Sequence, residues 1–209
     1  MEKFNKLYDK IHPSSYAFIG IFIFLCGLLP AIFVHPDFSF LSTKISDLGA
    51  PTNILYIYFD ICWFITGIFM IFFLYGFTKY LQLKGFNTKQ IWIVFIFGVL
   101  SAVGILGLAI FNTEQFHSLH YISELLFFFT GIIYLFAYAY LEWKSAEFPK
   151  YQAIFNLIVV FFFILYLILL VVNRAADDIV PEFQTVAEWL FLFFNLAWFV
   201  ENGAFIRAN

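Results

Sequence analysis

His117, His120 and Glu124 are spaced i, i+3 and i+7, so a helix through them carries two imidazoles and a carboxylate on one face. Imidazole beside carboxylate can hold a metal ion, pass a proton or hydrogen-bond a polar ligand. Two further carboxylates, Asp60 and Glu188, lie about as far into their own apolar stretches as Glu124 does. At about 1.5 Å per helical residue, all three sit roughly 9 to 11 Å below one surface. Gln184, Thr185, Glu188, Asn195 and Asn202 form a second polar stripe of nearly helical period. Such groups ask for a reason, because a charge in hydrocarbon costs at least about 2.5 to 3.5 kcal/mol.

The elements that must carry them are six apolar stretches, at about 16–34, 54–80, 90–111, 118–141, 151–172 and 183–206. Each is long enough to cross a hydrocarbon core of about 30 Å as a helix. With 63% hydrophobic residues, 12% charged residues and 33 Phe, the chain has too little polar surface to clothe a soluble globule. The reading is an all-α integral membrane six-helix bundle, a single domain over residues 1–209, multi-pass in the cell membrane. Nine of the eleven basic residues (Lys3, Lys6, Lys10, Lys79, Lys84, Lys89, Lys144, Lys150 and Arg207) fall at alternate ends of the stretches, and only Lys44 and Arg174 lie opposite. The positive-inside rule places both termini in the cytoplasm. The net charge of −3 is segregated by side, and no basic footprint for nucleic acid exists. The partners expected are membrane lipids.

The connections differ between the two sides. Those around 82–88 and 143–149 read as plain helix hairpins. The first connection on the other side, 36–52, alternates aromatics with hydroxyls and should lie in the interface or fold back over the bundle mouth. Within it Asp47 reads first as an Asx-turn or helix cap, and Asp177 with Asp178 as a solvated loop pair. Gly98, Ser101, Ala102, Gly104 and Gly107 form a small-residue face for close helix contact. Pro30 should bend or end the regular hydrogen bonding of its helix, and Cys26 and Cys62 read as small packing hydrophobes. Glu201, roughly 20 Å deeper than Glu188, reads as a solvated or snorkelling end residue.

Four uses of the polar layer follow from the residues. A structural layer would hydrogen-bond its members to one another and fix helix register. A non-catalytic pocket for a lipid headgroup or amphiphile would use Asp47, Asp60, His120, Glu124, Arg174 and Glu188, with Arg174 and Lys44 on a phosphate. A hydrolase would hold Zn²⁺ on His117, His120 and Asp47 or Asp177, with Glu124 as general base toward an ester or amide. However, the H-S-L-H spacing is not H-E-x-x-H, and no nucleophile sits in a known motif. A proton-coupled transporter would relay through Asp60 and Glu124, but visible repeats and broken helices in the middle of the membrane are missing.

Three elements carry a family likeness: ISDLG at Ile45 to Gly49, His120 early in the fourth span, and Ala187-Glu188-Trp189 opening the last. In this order and on one membrane side they resemble the prokaryotic domain-of-unknown-function family 998 (DUF998). They are more distantly similar to the Frag1/DRAM/Sfk1 six-span membrane proteins, from whose loop Leu48 and the short Ala50-Pro51 continuation depart. The resemblance implies six spans and, through the eukaryotic relatives, a link to lipid remodelling and asymmetry.

The charge census predicts the outcome of cysteine labelling in intact cells. Ser42→Cys and Ala176→Cys should react with an impermeant reagent from outside, and Gly85→Cys and Ser145→Cys should not. The reverse pattern would invert the assigned topology.

Overall fold

The structure, a computed structural model, describes residues 11–176 and 179–209. The described residues form six long helices and one short one: α1 (Pro13–Val34), α2 (Ile45–Leu48), α3 (Tyr56–Leu83), α4 (Thr88–Ile110), α5 (His117–Lys144), α6 (Lys150–Ala175) and α7 (Pro181–Ala208). All six long helices are apolar and long enough to cross a membrane. Pro13 and Pro181 open α1 and α7 in the first turn, where a missing N–H costs nothing. Asn87 caps α4, accepting from the amides of Lys89 and Gln90. α1 continues through Pro30 to Val34.

The helices form a closed ring. Each long helix packs against its neighbours in the chain, and α7 returns to pack on α1. Aromatic side chains fill the interior: Phe73, Phe77, Tyr134, Tyr138, Phe163, Tyr166 and Trp198 are all fully buried. Phe22, Phe33, Phe129 and Phe161 face outward. This is the pattern expected where lipid replaces water as the outer solvent and the chain must still bury its polar groups inside.

The small-residue face of α4 is buried and sets the distance to its neighbours. A Cβ on Gly104 would lie 2.7 Å from the Phe127 Cα of α5, so only glycine permits this approach. The contact lets Ser101 Oγ donate to the Phe127 carbonyl at 3.0 Å. Cys26 and Cys62 remain free thiols.

The 36–52 connection folds over the bundle. α2 buries Ile45 and Leu48 completely and packs on α1 and α7. Its start is capped by Asp47, whose Oδ2 accepts the Lys44 amide at 2.8 Å. Asn53 ties the connection to α1 by donating from Nδ2 to the Ala31 carbonyl at 2.9 Å.

Candidate functional site

Beneath α2 lies a cavity of about 470 Å³. The α2 segment supplies Lys44, Ser46 and Asp47; α5 supplies His117, His120, Tyr121 and Glu124; α6 supplies Tyr166, Leu170, Asn173 and Arg174; α7 supplies Gln184. Helical period aligns them, since Tyr166, Leu170, Asn173 and Arg174 stand at i, i+4, i+7 and i+8.

The floor is acidic and closed. Glu124 is buried and accepts a hydrogen bond from the Tyr166 hydroxyl, which also faces Gln184. Glu188 lies behind it, 5% exposed, close enough to feel Glu124 and Asp47 and reaching the backbone of Ser46. One Glu188 oxygen, Oε2, has no hydrogen-bond partner. Asn173 braces the wall, donating to Gln184 Oε1 at 2.7 Å while its own Oδ1 accepts the Val180 amide at 2.9 Å. The polar stripes of α5 and α7 thus meet at Glu124 and Glu188, but α6 supplies the bridge.

The mouth is basic. Arg174 lies over the Tyr121 ring, 4.0 Å from its centroid, with Nη1 3.2 Å from His117 Nε2. Such a stacked guanidinium is held in place with its remaining N–H donors available. The one ion pair among the described residues joins Lys84 to Glu147, so none of the described carboxylates pairs with Arg174. The Lys44 charge bears on both Glu124 and Glu188.

His120 lies at the cavity wall, where Nδ1–H donates to the Phe111 carbonyl at 2.6 Å. A carbonyl only accepts, so the tautomer follows from the partner. His120 and Glu124 therefore take separate partners instead of each other. Among the described residues no three His, Cys, Asp or Glu side chains gather closely enough to hold a metal ion. Asp177, the remaining candidate ligand, lies outside the described residues, as does Asp178.

Asp60 stands apart. It is absent from the cavity lining and sits against the end of α2, where a side chain on Gly49 would collide with its Oδ1. A larger residue at Gly49 therefore requires the Asp60 carboxylate to shift. The structure thus brings Asp47, His117, His120, Glu124 and Arg174 together, with Glu188 just behind, and leaves Asp60 outside.

Residues 18–201 match the family described as Protein of unknown function (DUF998). The chain belongs to that family. The matched region holds α2, the whole cavity and both carboxylates of its floor. No curated protein and no solved structure matches this DUF998 chain.

Sequence reasoning missed Tyr166 and Asn173. Asn173 interrupts an apolar run and Tyr166 precedes it by seven positions, a spacing that would have placed both on one face. Glu201, read as a solvated or snorkelling end residue, is half-buried with Gln152 near its carboxylate. The sequence reading passed over Glu142, because α5 runs past the expected end at Leu141 to Lys144, which brings Glu142 into the bundle near Glu201.

The roof of the cavity hangs on Trp189. Its Nε1–H donates to the Thr43 carbonyl at 2.9 Å, and Phe38 and Phe40 meet its ring edge-on at 5.8 and 4.9 Å. Trp189→Phe keeps a ring but strands a buried carbonyl, which should cost about 1 to 3 kcal/mol. The expected result is a lower melting temperature together with faster labelling of a cysteine at Ser46; unchanged values for both would show that the roof is held by other contacts.

Proposed function

We propose that this protein is a non-catalytic binder of an amphiphile with an anionic headgroup, in the cell membrane, with cytoplasmic termini and the cavity open to the outside. The observation that carries the reading is Arg174, stacked on Tyr121 at the cavity mouth with no carboxylate partner among the described residues. A guanidinium so placed suits bidentate recognition of a phosphate, and Lys44 adds a second charge. A cavity of about 470 Å³ falls within the usual range for small-molecule sites. Asp47 in the roof and Glu124 at the floor can take hydroxyl or amine hydrogens of the same headgroup. Exposed Ile122, Phe129 and Ile168 on α5 and α6 give acyl chains an apolar path beside the bundle. The distant similarity of the ISDLG segment, His120 and the Glu188-Trp189 pair to the Frag1/DRAM/Sfk1 proteins supports a lipid ligand.

The test is binding of short-chain phosphatidylglycerol, against phosphatidylcholine as control, to the purified protein in detergent. Arg174→Ala should weaken phosphatidylglycerol binding about tenfold or more, since a charge-assisted hydrogen bond contributes about 1.5 to 3 kcal/mol. Glu124→Gln should stay folded and retain binding, because an amide oxygen still accepts from Tyr166. Equal binding of both lipids by wild type and Arg174→Ala would refute the headgroup reading, and a wild-type metal lost in Glu124→Gln would refute the non-catalytic one.

A further inference from the structure

At the end of the bundle away from α2, a second set of polar side chains is buried that the cavity does not use. Glu142 of α5 is 1% exposed, and its Oε2 accepts from Asn156 Nδ2 at 2.6 Å. Asn156 Oδ1 in turn accepts from the indole N–H of Trp198. Glu201 of α7 comes near enough for the two carboxylates to repel each other, and Gln152 of α6, also 1% exposed, turns its amide toward Glu201. Asn202, the next residue of α7, is fully buried, its Nδ2 committed to the carbonyl of the same Trp198 at 3.0 Å.

The hydrogen-bond balance of this cluster does not close. Glu142 Oε1, Gln152 Oε1, Glu201 Oε2 and Asn202 Oδ1 all lack a partner, and the approach of Gln152 to Glu201 falls short of a full hydrogen bond, leaving its Nε2 unpaired as well. Among the described residues neither carboxylate has a basic group at ion-pair distance. Two carboxyl groups and a surplus of acceptors in a low-dielectric interior are relieved either by protons on the carboxyls or by a cation, which brings no hydrogen-bond acceptor of its own.

We infer that the cluster is a binding site for a hard metal cation, with Ca²⁺ the best match, held by the carboxylates of Glu142 and Glu201 and the amide oxygens of Gln152 and Asn202. Oxygen-only ligands select hard cations over zinc or copper. Two carboxylates balance a dication. Ca²⁺ accepts an irregular shell of mixed carboxylate and amide oxygens, whereas Mg²⁺ demands a near-ideal octahedron and sheds water reluctantly. Glu201 is the half-buried member of the set and borders an otherwise apolar surface groove with Tyr151, Ile154 and Val200. A bound cation would join α5, α6 and α7, and the site is independent of the headgroup reading of the cavity.

The experiment is thermal unfolding of the full-length protein in detergent after chelation, titrated separately with Ca²⁺, Mg²⁺, Na⁺ and Zn²⁺ at constant ionic strength. Ca²⁺ should raise the wild-type melting temperature saturably, by about 5 °C or more at a hundredfold excess over Kd, and exceed the other three. Glu201→Gln, the milder change, and the Glu142→Gln/Glu201→Gln pair should lose the shift, while Glu124→Gln in the α2 cavity should keep it. Absence of a saturable Ca²⁺ shift in wild type, or a shift lost in Glu124→Gln and kept in Glu201→Gln, would overturn the assignment.

Discussion

A carboxylate between helices that face lipid has no water to turn to, and this constraint shapes both ends of the bundle. At the α2 end Glu124 is answered by Tyr166 and Glu188 by the backbone of the loop that folds over it. The loop therefore belongs to the interior chemistry as much as to the surface. Its position follows from Trp189, whose indole hydrogen holds Thr43, and from Asp47, which caps α2 and also faces the cavity. One side chain thus serves local structure and the site together. The arrangement leaves acids fixed at the floor and bases at the mouth, with Arg174 held against the Tyr121 ring.

Between the two polar regions lies a layer of rings. Phe128 meets Phe191 at 4.6 Å and Tyr166 at 4.5 Å, and Phe127 meets Phe163 at 5.4 Å. These contacts join α5, α6 and α7 where they are apolar and separate the α2 cavity from the Glu142 cluster. Aromatic pairs in such geometry contribute about 0.5 to 1.5 kcal/mol beyond the area they bury, so the layer is a firm partition. Close approach on the α4 side, set by Gly104 against Phe127, keeps it in place.

The six helices were legible because an apolar run and a charge census need no tertiary information. The depth of Glu124 and Glu188 was legible for the same reason, as helical rise converts sequence position into height. Direction around the ring was not. Asp60 shares their depth but faces the end of α2, and nothing in its own helix period revealed that Gly49 would lie against it. Tyr166 escaped notice because a tyrosine in an apolar run reads as packing until its partner is known. Glu142 escaped because the end of an apolar run is not the end of a helix, and α5 continues to Lys144.

On the proposed reading the α2 cavity holds an anionic headgroup at Arg174 and Lys44 above a closed acidic floor. An experimental density map of the protein in a lipid bilayer tests it most directly. Headgroup density should contact both bases, with Glu124 still joined to Tyr166 beneath it. A map in which Arg174 turns away to pair with a carboxylate, or in which Glu124 and Glu188 point in opposite directions, would contradict it.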